Sequence, residues 1–277
     1  MPEGVKGMEP WKKFPRISEM VQARRPLLHH ITNYVTAGFC ADVALAAGAL
    51  PMMTDSPEEV EDAVDKADAL VCNLGTFSAA HGEAMAKAAR WAKVCQVPVL
   101  LDPVGTMTSP LRRETALLLL AEGVAVLKGN GAEARSLLEE NGSMEGRGVD
   151  SLPDALPGKL AKELACKFSC VAVITGPTDA LSDGKRSLLA RNGSFYQQKI
   201  TGAGCMTGSL MAAGIAVADT PLEGALWGLT LMNVAAEKAE KACQGPGSFR
   251  MALLDAIYQT DGQELLEKFQ GGWDAEH

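Results

Sequence analysis

Aromatic residues make up only 5% of this 277-residue chain. Its core must therefore be filled by small aliphatic side chains, and 28 glycines let elements approach closely. No Cys-x-x-Cys pair occurs among Cys40, Cys72, Cys95, Cys166, Cys170, Cys205 and Cys243, which speaks against a zinc knuckle or a dithiol redox motif. Six of these, all but Cys205, read as buried thiols behaving as small hydrophobes. Positive charge is not in excess. Lysine plus arginine is 26 against 34 acidic residues, a net charge of −8 that argues against a nucleic-acid partner. The opening MPEGVKGMEPWKKFPR has no apolar signal-peptide core. One uncharged run, 200–218, raises the membrane question, but Gly, Ser and Thr crowd its first half. It reads as a Gly-rich loop entering a buried helix, so the chain is expected to be cytoplasmic, with no membrane partner. No linker, repeat or low-complexity tract divides it. One domain over 1–277 is expected, with 1–13 a flexible extension.

What is present is an alternation. The runs at 69–75, 97–103, 123–129 and 170–176 are near-continuously apolar and end in Gly or Pro. That pattern suits strands covered on both faces, and 29–32 and 50–53 are weaker runs of the same kind. Ser56-Pro57-Glu58-Glu59 reads as a helix start, with Ser56 the N-cap and Pro57 the first helical residue. The segments 81–95, 110–121, 130–140, 154–167, 205–218, 221–242 and 246–258 have helical length. Between 179 and 199, Ser182-Asp183-Gly184 and Asn192-Gly193 mark turns between short antiparallel strands; Asn141-Gly142 reads as another turn. The fold class is therefore α/β, a mostly parallel sheet with helices on both faces and antiparallel edge strands. Ligands of such sheets bind at the carboxyl ends of the strands.

Several residues at those ends have two readings. Thr201-Gly202-Ala203-Gly204-Cys205 before an apolar helix suits an anion held by backbone N–H groups. It equally suits a tight turn, and it is neither a Walker loop nor a dinucleotide fingerprint. Cys205 at a helix N-terminus tends toward a lowered pKa and a role as base or nucleophile, or is a buried thiol. Asp102 ends an apolar run and serves a metal or a proton, or caps a turn. Asn130 and Glu133 form a capping-box pair, or Glu133 orders Mg²⁺ through water. Lys128 meets phosphate or is a solvated charge. His29 and His30 would face opposite sides of a strand and read as structural, and Asn33 could touch a ligand.

In order along the chain, His30-Ile-Thr-Asn-Tyr-Val35, Asn73-Leu-Gly-Thr76, Leu101-Asp-Pro-Val-Gly105, Lys128-Gly-Asn-Gly-Ala-Glu133, Ile174-Thr-Gly176, Gly202-Ala-Gly-Cys-Met206 and Gly245-Pro-Gly-Ser-Phe249 resemble the hydroxyethylthiazole kinases. These are thiamin-salvage members of the ribokinase-like superfamily. The resemblance implies a ribokinase-like fold and phosphoryl transfer from ATP, with Mg²⁺, to the primary alcohol of 4-methyl-5-(2-hydroxyethyl)thiazole. It also implies a homotrimer with active sites between subunits. It puts Asn33, Met53, Gly75 and Gly202 at the thiazole, and Lys128, Thr175 and Asn130 at ATP. Asp102 and Glu133 fall to the metal and phosphates. Gly202, Gly204 and Cys205 form the catalytic loop, with Cys205 standing where related sugar kinases carry Asp. Two positions depart from the family: Ala203 stands for a usual Thr, and Lys128 for a frequent Arg. The rival readings are a kinase for a hydroxymethylpyrimidine or pyridoxal-like alcohol, a dehydratase of hydrated nicotinamide cofactors, and a non-catalytic thiazole-binding regulator.

Overall fold

The computed structural model describes residues 9–139 and 156–275. Its strands are β1 (Leu27–Ile31), β2 (Leu50–Met53), β3 (Ala69–Asn73), β4 (Val99–Asp102), β5 (Val126–Asn130), β6 (Val171–Thr175), β7 (Asp179–Ser182), β8 (Ser187–Ala190) and β9 (Gly271–Trp273). They form one sheet in the order β2-β1-β3-β4-β5-β6-β7-β8-β9. The strands from β2 to β6 pair in parallel, and the rest antiparallel. The helices are α1 (Phe14–Arg24), α2 (Ala37–Ala46), α3 (Val60–Val64), α4 (Ala79–Cys95), α5 (Pro110–Glu122), α6 (Gly131–Leu138), α7 (Pro157–Phe168), α8 (Ala203–Ile215), α9 (Pro221–Ala242), α10 (Pro246–Gln259) and α11 (Gly262–Lys268).

Strand side chains alternate between two cores. Leu28, Val71, Leu100, Val126 and Val173 pack with α1, α2, α8, α9 and α10, while Ile31, Leu70, Leu101, Leu127 and Ile174 pack with α4 to α7. Covering both faces is why these strands are apolar without alternation. Helices α8 and α9 touch backbone to backbone. A Cβ on Gly224 would lie 2.5 Å from the Ile215 nitrogen, and one on Gly228 would lie 2.3 Å from the Met211 nitrogen.

Three expectations change. The helix foreseen from Pro57 is confined to Val60–Val64. The Ser56 hydroxyl bonds the Glu58 carboxylate instead of capping, and its carbonyl accepts the Glu59 and Val60 N–H groups in a turn. Residues 10–13 are no loose extension: Pro10–Lys13 is a 3-10 turn with Pro10 buried, and Trp11 stacks on Phe269 at 5.4 Å. Cys95 and Cys166 are exposed and Cys243 is half-buried, so only Cys40, Cys72 and Cys170 are buried as expected. The chain also forms α1, α2, α11 and β9, which no pattern had marked. The Asn141 turn, residues 1–8, residue 140 and residues 154–155 lie outside the described residues. Among the described residues no helix is long and apolar enough to cross a membrane.

Candidate active site

Strand register aligns the polar strand ends. His30 stands beside Met53, Asn73 beside Asp102, and Asn130 beside Thr175. Helix α8 begins over this edge. Gly202 precedes it at φ +87°, and a Cβ there would meet the Thr36 methyl at 2.6 Å, so glycine is required on both counts. No side chain caps α8, and helical geometry leaves the amides of Ala203, Gly204 and Cys205 without intrahelical acceptors. The loop thus leaves three backbone donors open at the start of α8, a setting that suits an anion.

Beneath it lies a buried charge pair. Lys128 Nζ donates to Asp102 Oδ2 at 3.1 Å, with the two residues 4% and 1% exposed. A Cβ on Gly204 would lie 3.0 Å from that Nζ, so the ammonium is directly against the loop. The solvated-charge reading of Lys128 is thereby replaced. Burial opposes its charge, but Asp102, Cys205 and Glu133 outweigh burial and raise its pKa.

Asn73 joins these groups to the neighbouring strands. Its Nδ2 donates to Asp102 Oδ2 at 3.0 Å and to Cys205 Sγ at 3.3 Å. Its Oδ1 accepts from Asn33 Nδ2 and the Gly75 N–H, both at 3.0 Å. Asn33 Nδ2 also lies 3.5 Å from Cys205 Sγ, and Asn33 Oδ1 accepts the Thr36 N–H. Asn33, Gly75, Asp102, Lys128, Gly202, Gly204 and Cys205 are thus brought together. Asn73 and Thr36 were not singled out as site residues, yet they hold the group in place. The available signal was that Asn73 ends a buried strand whose neighbour ends in Asp102.

The Cys205 thiol runs against the helix-terminus expectation. Burial, then the nearby Asp102 charge, raises its pKa, despite the pull of Lys128, Thr36 and Asn33. The thiol is therefore protonated at neutral pH. Asn130 and Glu133 do form the capping box. Asn130 Oδ1 accepts the Ala132 and Glu133 N–H groups, and Glu133 Oε2 accepts the Asn130 N–H at 2.9 Å. Glu133 Oε1 accepts the Gly105 N–H at 3.1 Å, tying α6 to the turn after β4. Burial and then Asp102 raise the Glu133 pKa. Thr175 sits farther along, its hydroxyl 3.4 Å from the Gly129 carbonyl. Met53, 39% exposed, ends the edge strand β2 beside His30. His29 and His30 diverge as expected. His29 Nε2 meets the Thr54 carbonyl, and His30 Nε2 meets Ser209 Oγ.

An uncapped helix terminus over a buried ammonium is suited to an oxyanion, and the mostly parallel sheet flanked by helices is that of the ribokinase-like class. A solved ribokinase-like superfamily protein from Enterococcus faecalis shares the fold, with a TM-score of 0.61 at 12% identity over 85% of this chain and 87% of that one. The chain belongs to the hydroxyethylthiazole kinase family, which it matches over residues 18–263. It is 42% identical to a hydroxyethylthiazole kinase of Methanocella arvoryzae, covering 90% of this chain and 94% of the relative. With that of Oleidesulfovibrio alaskensis it shares 43%, covering 87% and 90%. The solved hydroxyethylthiazole kinase protein of Pyrococcus horikoshii superposes with a TM-score of 0.88 at 35% identity, covering 95% and 99%.

Proposed function

We propose that this chain transfers the terminal phosphoryl group of ATP to the primary hydroxyl of 4-methyl-5-(2-hydroxyethyl)thiazole in thiamin salvage. The observation that carries the reading is the Lys128–Asp102 pair buried under the amides of α8, beside Cys205. Phosphoryl transfer needs positioning and charge neutralisation more than covalent help. The Ala203, Gly204 and Cys205 N–H groups would hold the phosphoryl oxygens, and Lys128 would offset their charge. Asn33, Met53, Gly75 and Gly202 would line the thiazole; Thr175 and Asn130 would flank the nucleotide. The missing hydroxyl at Ala203 is compatible with this, since the donors are backbone groups.

Asp102 Oδ1 is buried and has no hydrogen-bond partner. That orphaned acceptor fits a hydrated Mg²⁺, and Glu133, each of whose oxygens accepts one backbone N–H, keeps lone pairs for water. When bound, Mg²⁺ supplies neutralisation of the nucleotide phosphates. Asp102 Oδ1 would also receive a hydrogen bond from the alcohol. A protonated Cys205 orients that hydroxyl by contact and does not remove its proton in the resting state.

Tyr34 and Val35, which follow Asn33, are 77% and 50% exposed, and Met53, beside His30, is 39% exposed. Apolar exposure there supports a trimer in which a neighbouring subunit covers the thiazole; an active monomer by light scattering would refute it. We place the enzyme in the cytoplasm. The test of function is ADP release with the thiazole alcohol, a hydroxymethylpyrimidine and pyridoxal, with Mg²⁺ and with chelator. Mg²⁺-dependent turnover of the thiazole alcohol is expected, and preference for either other alcohol overturns the reading.

A further inference from the structure

A second buried polar chain lies on the nucleotide flank of the carboxyl edge. The Gly176 N–H, one residue beyond Thr175, donates to Asp179 Oδ1 at 2.9 Å. Asp179 Oδ2 accepts from Asn233 Nδ2 at 2.7 Å, and Asn233 Oδ1 accepts from Gln197 Nε2 at 3.0 Å. Gln197 Oε1 in turn accepts the Ser194 N–H at 2.9 Å. Asp179 and Asn233 are 6% and 5% exposed. One turn farther along α9, Glu237 Oε1 accepts the Gly193 N–H and Asn192 Nδ2, both at 3.0 Å. Helix α9 therefore grips residues 192–197 at two points. That stretch continues through Phe195–Lys199 and Ile200 into Gly202 of the anion loop.

The direction of this chain is fixed at both ends. Ser194 N–H and Gly176 N–H are backbone donors and cannot be reversed. An amide side chain accepts on one side and donates on the other, so Gln197 and Asn233 pass the direction on unchanged. Two inward-pointing donors then require one member that accepts from both sides, and only an ionised carboxylate does that. Asp179 is that member. An amide there would set its NH₂ against that of Asn233. Flipping Asn233 moves the conflict to Gln197, and flipping Gln197 moves it to Ser194.

We propose that Asp179 and Asn233 are positioning residues for phosphoryl transfer, holding the nucleotide-side turn after β6 at a fixed spacing from the segment that carries the anion loop. The inference rests on the proposed function, because it assigns ATP to that turn. Neither residue is assigned a contact with substrate; they act through Gly176 and through residues 194–202.

The parity of the chain supplies its own test. In Asp179→Asn/Asn233→Asp every bond can be remade: Gly176 N–H to the new amide oxygen, that amide to the new carboxylate, and Gln197 to its other oxygen. We compare wild type, Asp179→Asn, the double variant and Gln197→Ala in steady-state kinetics, with ATP affinity by calorimetry. Burying a mismatched donor costs enough to raise the KM and Kd for ATP about tenfold in Asp179→Asn, with KM for the thiazole alcohol unchanged. The double variant should return to near wild type. Gln197→Ala, whose site is half-buried and reached by water, should shift ATP affinity less and in the same direction. The inference is overturned if the double variant is no better than Asp179→Asn, if both KM values move together, or if Asp179→Asn binds ATP normally. Should Asp179→Asn fail to fold, the double variant decides alone: wild-type ATP affinity supports the chain, and weak affinity or unfolding overturns it. Wild type that binds ATP but ignores the thiazole alcohol sinks the functional reading and leaves this one to the calorimetry. Wild type that does not bind ATP sinks both.

Discussion

The two polar chains at the carboxyl edge of the sheet end differently. Around Asn73, the chain from Asn33 to Lys128 stops at Asp102, whose Oδ1 has no partner. Around Asn233, the chain from Ser194 to Gly176 closes on Asp179, both of whose oxygens are occupied. A buried acceptor left open is costly unless something binds it, so the first chain is the one open to a ligand. A closed chain gains nothing from a ligand and serves to fix its surroundings. Both carboxylates are buried, and the difference lies in what surrounds them. Asp102 has an ammonium beside it and uncapped helix amides nearby; Asp179 has only neutral amides in contact.

The sharpest way to break the open chain is Lys128→Met. It strands the Asp102 charge in the interior, which costs about 3–5 kcal/mol of stability for a buried pair that loses one partner. It also removes positive charge from the anion seat, for which loss of one electrostatic donor costs about 10²–10³-fold in kcat. Denaturant unfolding and ADP release read the two effects separately. A variant with wild-type kcat would falsify the assignment of Lys128 to phosphoryl transfer.

Glu133→Gln comes next. Each Glu133 oxygen accepts a backbone N–H, from Gly105 and from Asn130. The amide can accept only one and must face the other donor, so about 1–3 kcal/mol of stability is lost. If Glu133 also orders the cation shell, turnover falls at saturating Mg²⁺ while thiazole binding is kept. A stability loss with unchanged kcat confines Glu133 to capping.

Cys205→Ser is a smaller perturbation. The thiol is held protonated by burial and by Asp102, so it has no base function to lose at neutral pH. Loss of a general base costs about 10²–10⁴-fold, and the serine variant should lose less than the lower end of that range. Cys205→Asp tests the opposite case, because it brings a carboxylate beside Asp102 and one of the two must then hold a proton. Recovery of rate in the aspartate variant, with slow turnover in serine, means the alcohol proton does leave to this position.

Much of this architecture is legible in the chain. LPMM at 50–53 is β2 to the residue, and 221–242 is α9 to the residue. The first is an apolar run bounded by turns, and the second opens on a capping box between Thr220 and Glu223. The runs at 69–75, 97–103 and 170–176 each contain a strand, and that at 123–129 all but the last residue of one, because burial on both faces leaves an uninterrupted apolar signature. Local pattern is weaker where pairing decides. Gly271-Gly272-Trp273 becomes β9 only by lying against β8. The residues brought together were legible where residue type coincides with a strand end, as at Asp102, or with a helix start, as at Cys205. The site was less legible at Asn73, Asp179 and Asn233, whose roles depend on strand order and on contacts across as many as 132 positions. The direction of the Cys205 pKa was misjudged for the same reason: a helix terminus is local, but the burial and the carboxylate that outweigh it are tertiary.

The smallest effect concerns the closed chain and its charge. Burial lifts the Asp179 pKa to about 6, against the lowering pull of the Gly176 N–H, Asn233 and the Lys128 charge. The unfolded value is near 3.9, so the folded protein holds an extra proton between these limits. A raised folded pKa means that this group's stabilisation is complete below about pH 4 and is lost as pH rises through about 6. Asp179→Asn lacks the titration and shares every other ionisable group. The stability difference between wild type and this variant should therefore grow in favour of wild type by about 1 kcal/mol from pH 7 to pH 5. Chemical unfolding at the two pH values measures it. A difference that shrinks on acidification would mean that the two donors on Asp179 outweigh its burial.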